Sequence, residues 1–321
     1  MTGAVLGLGP LDRWLADPDV SEVMVNAGRD VWVERVGGRG GTQYVGTLEP
    51  RVVDTVVERI LTPVGRRLDR TTPVVDARLA DGSRVCAVLA PVAVDGTCLS
   101  IRKFSPHALR LDAFGGPHIV EVLTQVVAAR CNVLVSGATS SGKTTLLNAL
   151  AGQLPAHERV VTLEDTAELR LDAPHVLRLE TRPGTAEGIP PVPMAALVRA
   201  ALRLRPDRLV VGEVRGDEAI DLVQAFNTGH DGSMCTVHAN SPAEALVRLE
   251  SLVVQAGPSW PLHAVREQVQ RSIDVVVQVE RSATGRRRVA QVVEVGTDDA
   301  SPLRLLASAD RSVHPLSRGR Q

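Results

Sequence analysis

Apolar residues along this chain follow two different patterns, and the change falls after residue 104. Up to that point short alternating runs dominate. Val23–Val25 and Val31–Glu34 read as strands separated by Asn26–Asp30, a loop of turn-forming residues. Val52, Val53, Val56, Val57 and Ile60 share one face of a helix predicted over Arg51–Leu61. A hairpin is expected around Asp81-Gly82, and Cys98–Phe104 closes the segment. Ser105–Pro117 carries the Pro/Gly punctuation of a linker.

From His118 onward, helices alternate with short, continuous apolar runs, the pattern of a parallel sheet covered on both faces. The runs are Val133–Val135, Val160–Leu163, Leu209–Val211 and Met234–Val237. Gly216-Asp-Glu opens one helix and Gly229 follows its end, while Ser241-Pro242-Ala-Glu244 is a capping box for another that Gly257 ends. Ile273–Val279 and Arg288–Val295 pair as a hairpin across SATGR. The predicted organisation is an α/β domain over 1–104, a linker over 105–117, a second α/β domain over 118–296 and a polar, poorly ordered tail over 297–321.

Composition narrows the functional classes. A net charge of −1 offers no general basic field for nucleic acid, and 2% aromatic residues leave little for base stacking. Direct nucleic-acid binding is therefore not expected. The cysteines Cys86, Cys98, Cys131 and Cys235 lack the spacing of a zinc site or redox pair, so they read as small semi-buried side chains in a reducing compartment. No apolar run approaches the ~20 residues that span a bilayer, and a cytoplasmic protein is expected.

One motif carries definite chemistry. Gly137-Ala138-Thr139-Ser140-Ser141-Gly142-Lys143-Thr144 fits the P-loop pattern, with strand NVLVS before it and helix KTTLLNALAG after it. Its glycines let backbone N–H groups curl around phosphate, with Thr145 continuing the cradle; Lys143 would reach the β/γ oxygens and the Thr144 hydroxyl would hold Mg²⁺. The chain has only two lysines, Lys103 and Lys143, so a compact ammonium is used sparingly and one stands where phosphate contact needs it. The expected ligands are thus ATP and Mg²⁺.

In open α/β sheets ligands gather at the carboxyl ends of strands. VVTL ends in Glu164-Asp165, LVVG in Glu213 and MCTV in His238. Hydrolysis of a γ-phosphate needs a carboxylate to position or activate water and another to organise the Mg²⁺ shell, which selects Glu164 and Glu213 as catalytic, with Glu213 beside Thr144 at the metal. His230 and His238 flank the turn Asp231-Gly-Ser; on the residues alone, a phosphate-reading role and a structural one stand equal.

In order, GATSSGKTT, VVTLEDTAEL, LRLRPDRLVVGEVRGDEA and TGHDGSMCTVHANSP resemble the Walker A, Asp box, Walker B and His box of the type II/IV secretion ATPase superfamily. The N-terminal segments PLDRWLADPDVSEVMVNAGRDVWVER and DARLADGSRVCAV…LSIRKF look like its CpaF-like branch, which serves Tad/Flp pili. The resemblance implies a PAS-like mixed α/β domain joined to a RecA-like P-loop domain with a mainly parallel sheet. It implies a homohexameric ATPase that drives an integral-membrane platform protein at the inner face of the cytoplasmic membrane. It assigns Glu164 as general base, Glu213 to Mg²⁺ and water, His230 and His238 to the His box, and Arg84, Arg102 and Arg203 as arginines that complete a site. The extra N-terminal helical region of many CpaF-like proteins and the tetracysteine zinc motif of some type II relatives are expected to be missing. Two rivals are a nucleic-acid-dependent RecA-like motor and a non-catalytic nucleotide-binding assembly factor.

Overall fold

Alternation in the first third of the chain builds an antiparallel sheet with one buried face. A short helix α1 (Asp12–Leu15) leads into β1 (Val20–Asn26), β2 (Asp30–Arg35) and β3 (Thr42–Thr47). Helix α2 (Pro50–Leu61) follows, then β4 (Val74–Arg78), β5 (Arg84–Val88) and β6 (Cys98–Arg102). The six strands run in the order β3-β2-β1-β6-β5-β4, each neighbour antiparallel. Val23, Val25, Val31, Val33, Val85, Ala87, Leu99 and Ile101 form a core with Val53, Val56, Val57 and Ile60 of α2. Pro50 starts α2 where a missing N–H costs nothing. This computed structural model describes residues 7–35, 41–104, 109–171, 173–184, 188–282, 285–296 and 303–320, and the chain divides into two compact units, 1–106 and 107–321.

The second unit is the parallel sheet that the continuous apolar runs predict. Its elements are α3 (Pro117–Ala128), β7 (Val133–Gly137), α4 (Lys143–Ala151), β8 (Val160–Glu164), β9 (Val176–Glu180), α5 (Met194–Leu202) and β10 (Arg208–Val211). They continue as α6 (Glu218–Phe226), β11 (Met234–His238), α7 (Pro242–Ala256), α8 (Leu262–Ser272), β12 (Val275–Arg281), β13 (Arg287–Val295) and β14 (Leu303–Ser308). The order is β14-β13-β12-β7-β11-β10-β8-β9, parallel from β12 to β9, with β13 and β14 added antiparallel. Every residue of β7, β8 and β10 is buried, as strands covered on both faces must be. One face packs on α3 and α4, the other on α5 to α8.

Two segments differ from their sequence-based expectation. Within 105–117, Leu111 and Phe114 are buried in the second unit's core; Gly116 caps α3 and Pro117 opens it, and residues 105–108 lie outside the described part. Within 297–321, Leu303–Ser308 is strand β14 paired with β13, and Arg318 and Arg320 reach back to buried Asp274. The polar composition of that segment reflects ionic anchoring to the sheet. Residues 297–302 lie outside the described part.

Candidate active site

The P-loop leaves β7 at the carboxyl edge of the parallel sheet. Ser140 and Gly142 both take positive φ, 59° and 105°, turning the backbone between the strand and α4. A side chain at Gly142 would collide with the Arg287 stem, and one at Gly137 with the Val279 carbonyl, so both glycines are needed for close approach. Lys143 is buried at 6% exposure; its Nζ donates to the carbonyls of Gly137 and Ala138 and to His238 Nδ1, each at 3.1 Å. Burial holds its pKa below the ordinary lysine value, against the upward pull of Glu213.

β11 runs beside β7 with His238 opposite Gly137, which sets the imidazole against the lysine. Accepting from an ammonium at Nδ1 leaves the proton on Nε2, which lies 2.9 Å from Glu213 Oε1. Burial, then the Lys143 charge, lowers the His238 pKa, which favours this neutral form. The Nε2 contact is close but poorly aligned: Glu213 Oε1 is buried and has no hydrogen-bond partner among the described residues. Glu213 Oε2 accepts from Arg215 at 2.6 Å, and Arg215 lies 3.4 Å from Asp165. The result is a series of side chains in contact, Lys143–His238–Glu213–Arg215–Asp165, with a neutral imidazole between charged groups. Beside its far end a cleft of ≈ 400 Å³ is lined by Asp165, Arg182, Met194, Arg215 and Glu218, among others.

Glu164, the last residue of β8, is 2% exposed. Its Oε1 accepts backbone N–H groups from Glu168 and Leu169, both at 2.8 Å, while Oε2 is buried with no hydrogen-bond partner among the described residues. Burial outweighs those two bonds and pushes its pKa up to about 7. A carboxyl group with one oxygen held and the other bare is suited to exchange a proton near neutrality. Gly212 leaves room for it, since a side chain there would meet Glu164 Cγ at 3.0 Å.

The structure thus brings together Lys143, Glu213 and His238 beside the P-loop and sets Glu164 at the same edge of the sheet. His230 and Arg203 are not with them. His230 precedes β11, so the five-residue strand separates it from His238; its Nδ1 pairs with the Ala225 carbonyl at 3.1 Å. Arg203 caps α5, exposed, before β10 begins, and therefore also stands at the amino edge of the sheet. In the first unit Arg84 and Arg102 are register partners on β5 and β6, with Arg78 of β4 opposite Arg84. Arg215, Asp165 and Arg287 were not singled out from sequence. The signal for Arg215 was in Glu213-Val-Arg215, where alternate residues share a side; Arg287 needs the fold.

The Type II/IV secretion system protein family profile matches residues 5–311. The chain belongs to that family. A Mycobacterium tuberculosis protein named for conjugal transfer is 40% identical, covering 89% of this chain and 84% of its own. Type IV secretion system protein PtlH of Bordetella pertussis is 36% identical over 92% of this chain and 95% of its own. Among solved structures, the ATPase DotB of Yersinia pseudotuberculosis shares the fold at a TM-score of 0.64 and 18% identity, covering 90% of this chain and 79% of that one. The superfamily resemblance read from the four ordered motifs is thereby established.

Proposed function

We propose that this protein is an ATP-hydrolysing motor of a type II/IV secretion or pilus machine, with the carboxyl-edge cluster as its active site. The observation that carries the reading is a pair of carboxylates, Glu164 and Glu213, each with one buried oxygen lacking a hydrogen-bond partner among the described residues, at the same edge as a P-loop whose lysine is already fixed in place. The residues suit Mg²⁺·ATP. Loop N–H groups and Lys143 fit the phosphates, while Thr144 and Glu213 offer the one or two oxygens that Mg²⁺ takes from protein beside phosphate and water. When bound, Mg²⁺·ATP supplies the γ-phosphoryl group whose transfer to water is the reaction.

The chain's residues then divide the work. Glu164 Oε2 accepts the proton of the attacking water, which its raised pKa permits. Glu213, with Oε2 held by Arg215, would offer Oε1 to a bound Mg²⁺. His238, neutral, fixes the direction of Lys143. His230, on the other edge, holds the α6–β11 turn. In its own chain Arg203 stands away from the cluster, so its part in a site is in a neighbouring subunit of a homohexamer; Arg84 and Arg102 keep the role of arginines that complete a site, which the resemblance assigns them. Among the described residues no helix is long and apolar enough to cross a membrane. The platform protein at the cytoplasmic face, through which force would pass, is what the family resemblance implies.

Purified full chain should release phosphate from ATP only with Mg²⁺, and Lys143→Ala should abolish release. Equal, background-level release from both would remove the enzymatic reading. The N-terminal motifs favour a Tad/Flp-type pilus, whereas the relatives' names favour conjugal transfer or type IV secretion. Capture of membrane partners separates the two: a platform protein with pilin supports the first, and conjugation components the second.

A further inference from the structure

The P-loop strand β7 lies between β11 and β12, so the loop has two flanks of opposite character. On the β11 side stand Glu213, Asp165, Glu164 and His238, and Lys143 Nζ leans that way. On the β12 side stands the β12–β13 hairpin, and it presents cations. Arg281 and Arg287 are register partners, the last pair of the β12–β13 ladder before its turn. The hairpin also touches the loop at both ends. The Val279 carbonyl packs on Gly137, and the Arg287 stem crosses Gly142, where a Cβ would lie 2.6 Å from Arg287 Cδ. From there Arg287 donates to Thr145 Oγ1 at 3.2 Å, at the first turn of α4. Its neighbour Arg288 alternates outward and pairs with Glu280 at 2.7 Å, so the inward direction belongs to Arg287.

Resting on the proposed nucleotide site, we infer that Arg287 is a nucleotide-binding residue: its guanidinium holds the end of the phosphate chain away from the hydrolysed bond, the α-phosphate side. Lys143 and the carboxylates define the γ end on the β11 flank. A phosphate chain threaded through the loop therefore directs its α end to the β12 flank, where the acidic cluster offers no compensating charge. A guanidinium beside the Thr145 hydroxyl supplies that charge with directional donors.

The test is a titration of the full chain with fluorescent ADP and ATP analogues, comparing wild type with Arg287→Met, Arg287→Lys and Lys143→Ala. Methionine keeps an unbranched stem over Gly142 and removes only the charge. Arg287→Met should weaken ADP and ATP by the same factor, about tenfold or more for one charged hydrogen bond, and Arg287→Lys should recover part of it. Wild-type affinity in Arg287→Met, or a loss confined to ATP, overturns the assignment. Absence of binding by the wild-type chain would instead overturn the nucleotide site itself.

Discussion

Both edges of the parallel sheet carry buried ionic groups, and the two are built in opposite ways. At the amino edge, Arg208, 1% exposed, meets both oxygens of Glu158, which also pairs with Arg130. Asp274, 1% exposed, accepts from the Asn132 N–H and from Arg318 and Arg320, and Arg320 also reaches Asp231 and the Phe226 carbonyl. At the carboxyl edge, Glu164 Oε2, Glu213 Oε1 and Ser141 Oγ are buried without a hydrogen-bond partner among the described residues. A satisfied network has nothing further to bind and serves the fold. Buried oxygens left bare cost stability in the folded chain and recover it when a ligand supplies their partners. On the proposed function, the same sheet separates holding from chemistry by where its polar groups are completed.

The largest effect that would break this comparison lies in turnover. Glu164→Gln keeps the acceptor for the Glu168 and Leu169 N–H groups and removes the base, so hydrolysis should fall about 10²–10⁴-fold with nucleotide affinity retained, measured by phosphate release beside binding. Wild-type turnover should rise with pH through about 7, where Glu164 ionises, and the variant should lack that limb. Next is the amino edge. Arg208→Ala leaves Glu158 buried with a weaker partner and should cost about 3–5 kcal/mol in denaturant unfolding.

Glu164 also makes a stability prediction of definite sign. Its folded pKa of about 7 lies above its ordinary value of 4.5, so the folded chain binds the proton more tightly. Its contribution is most favourable below pH 4.5 and is lost as pH rises towards 7. At pH 8, Glu164→Gln should therefore be more stable than wild type by up to roughly 3 kcal/mol, with the gain vanishing in acid. Smallest is Arg320→Ala, which removes part of the cover of Asp274 and should cost about 2 kcal/mol; an unchanged melting curve would show that the C-terminal segment does not clasp the sheet.

Much of the carboxyl edge was legible in sequence because a strand that ends in chemistry advertises its last residue. The P-loop, Glu164, Glu213 and His238 are of this kind. His230 was not distinguishable from His238, because sequence spacing does not tell which side of the intervening strand each occupies. β11 spans about 16 Å, enough to put them at opposite edges. The amino edge was illegible for a different reason: Arg208–Glu158 and Arg320–Asp274 join residues 50 and 46 positions apart through tertiary packing, with no local motif. The segment around Arg318 and Arg320 therefore read as a polar tail.

On the proposed function, the carboxyl edge is built for hydrolysis and not for holding the fold. Its most direct measurement is Mg²⁺-dependent ATP turnover by Glu213→Gln, with the melting temperature taken on the same sample. Turnover should be lost by at least about 10²-fold, with a melting temperature at or above wild type. Turnover near the wild-type rate, or a collapse in stability like that of Arg208→Ala, would contradict it.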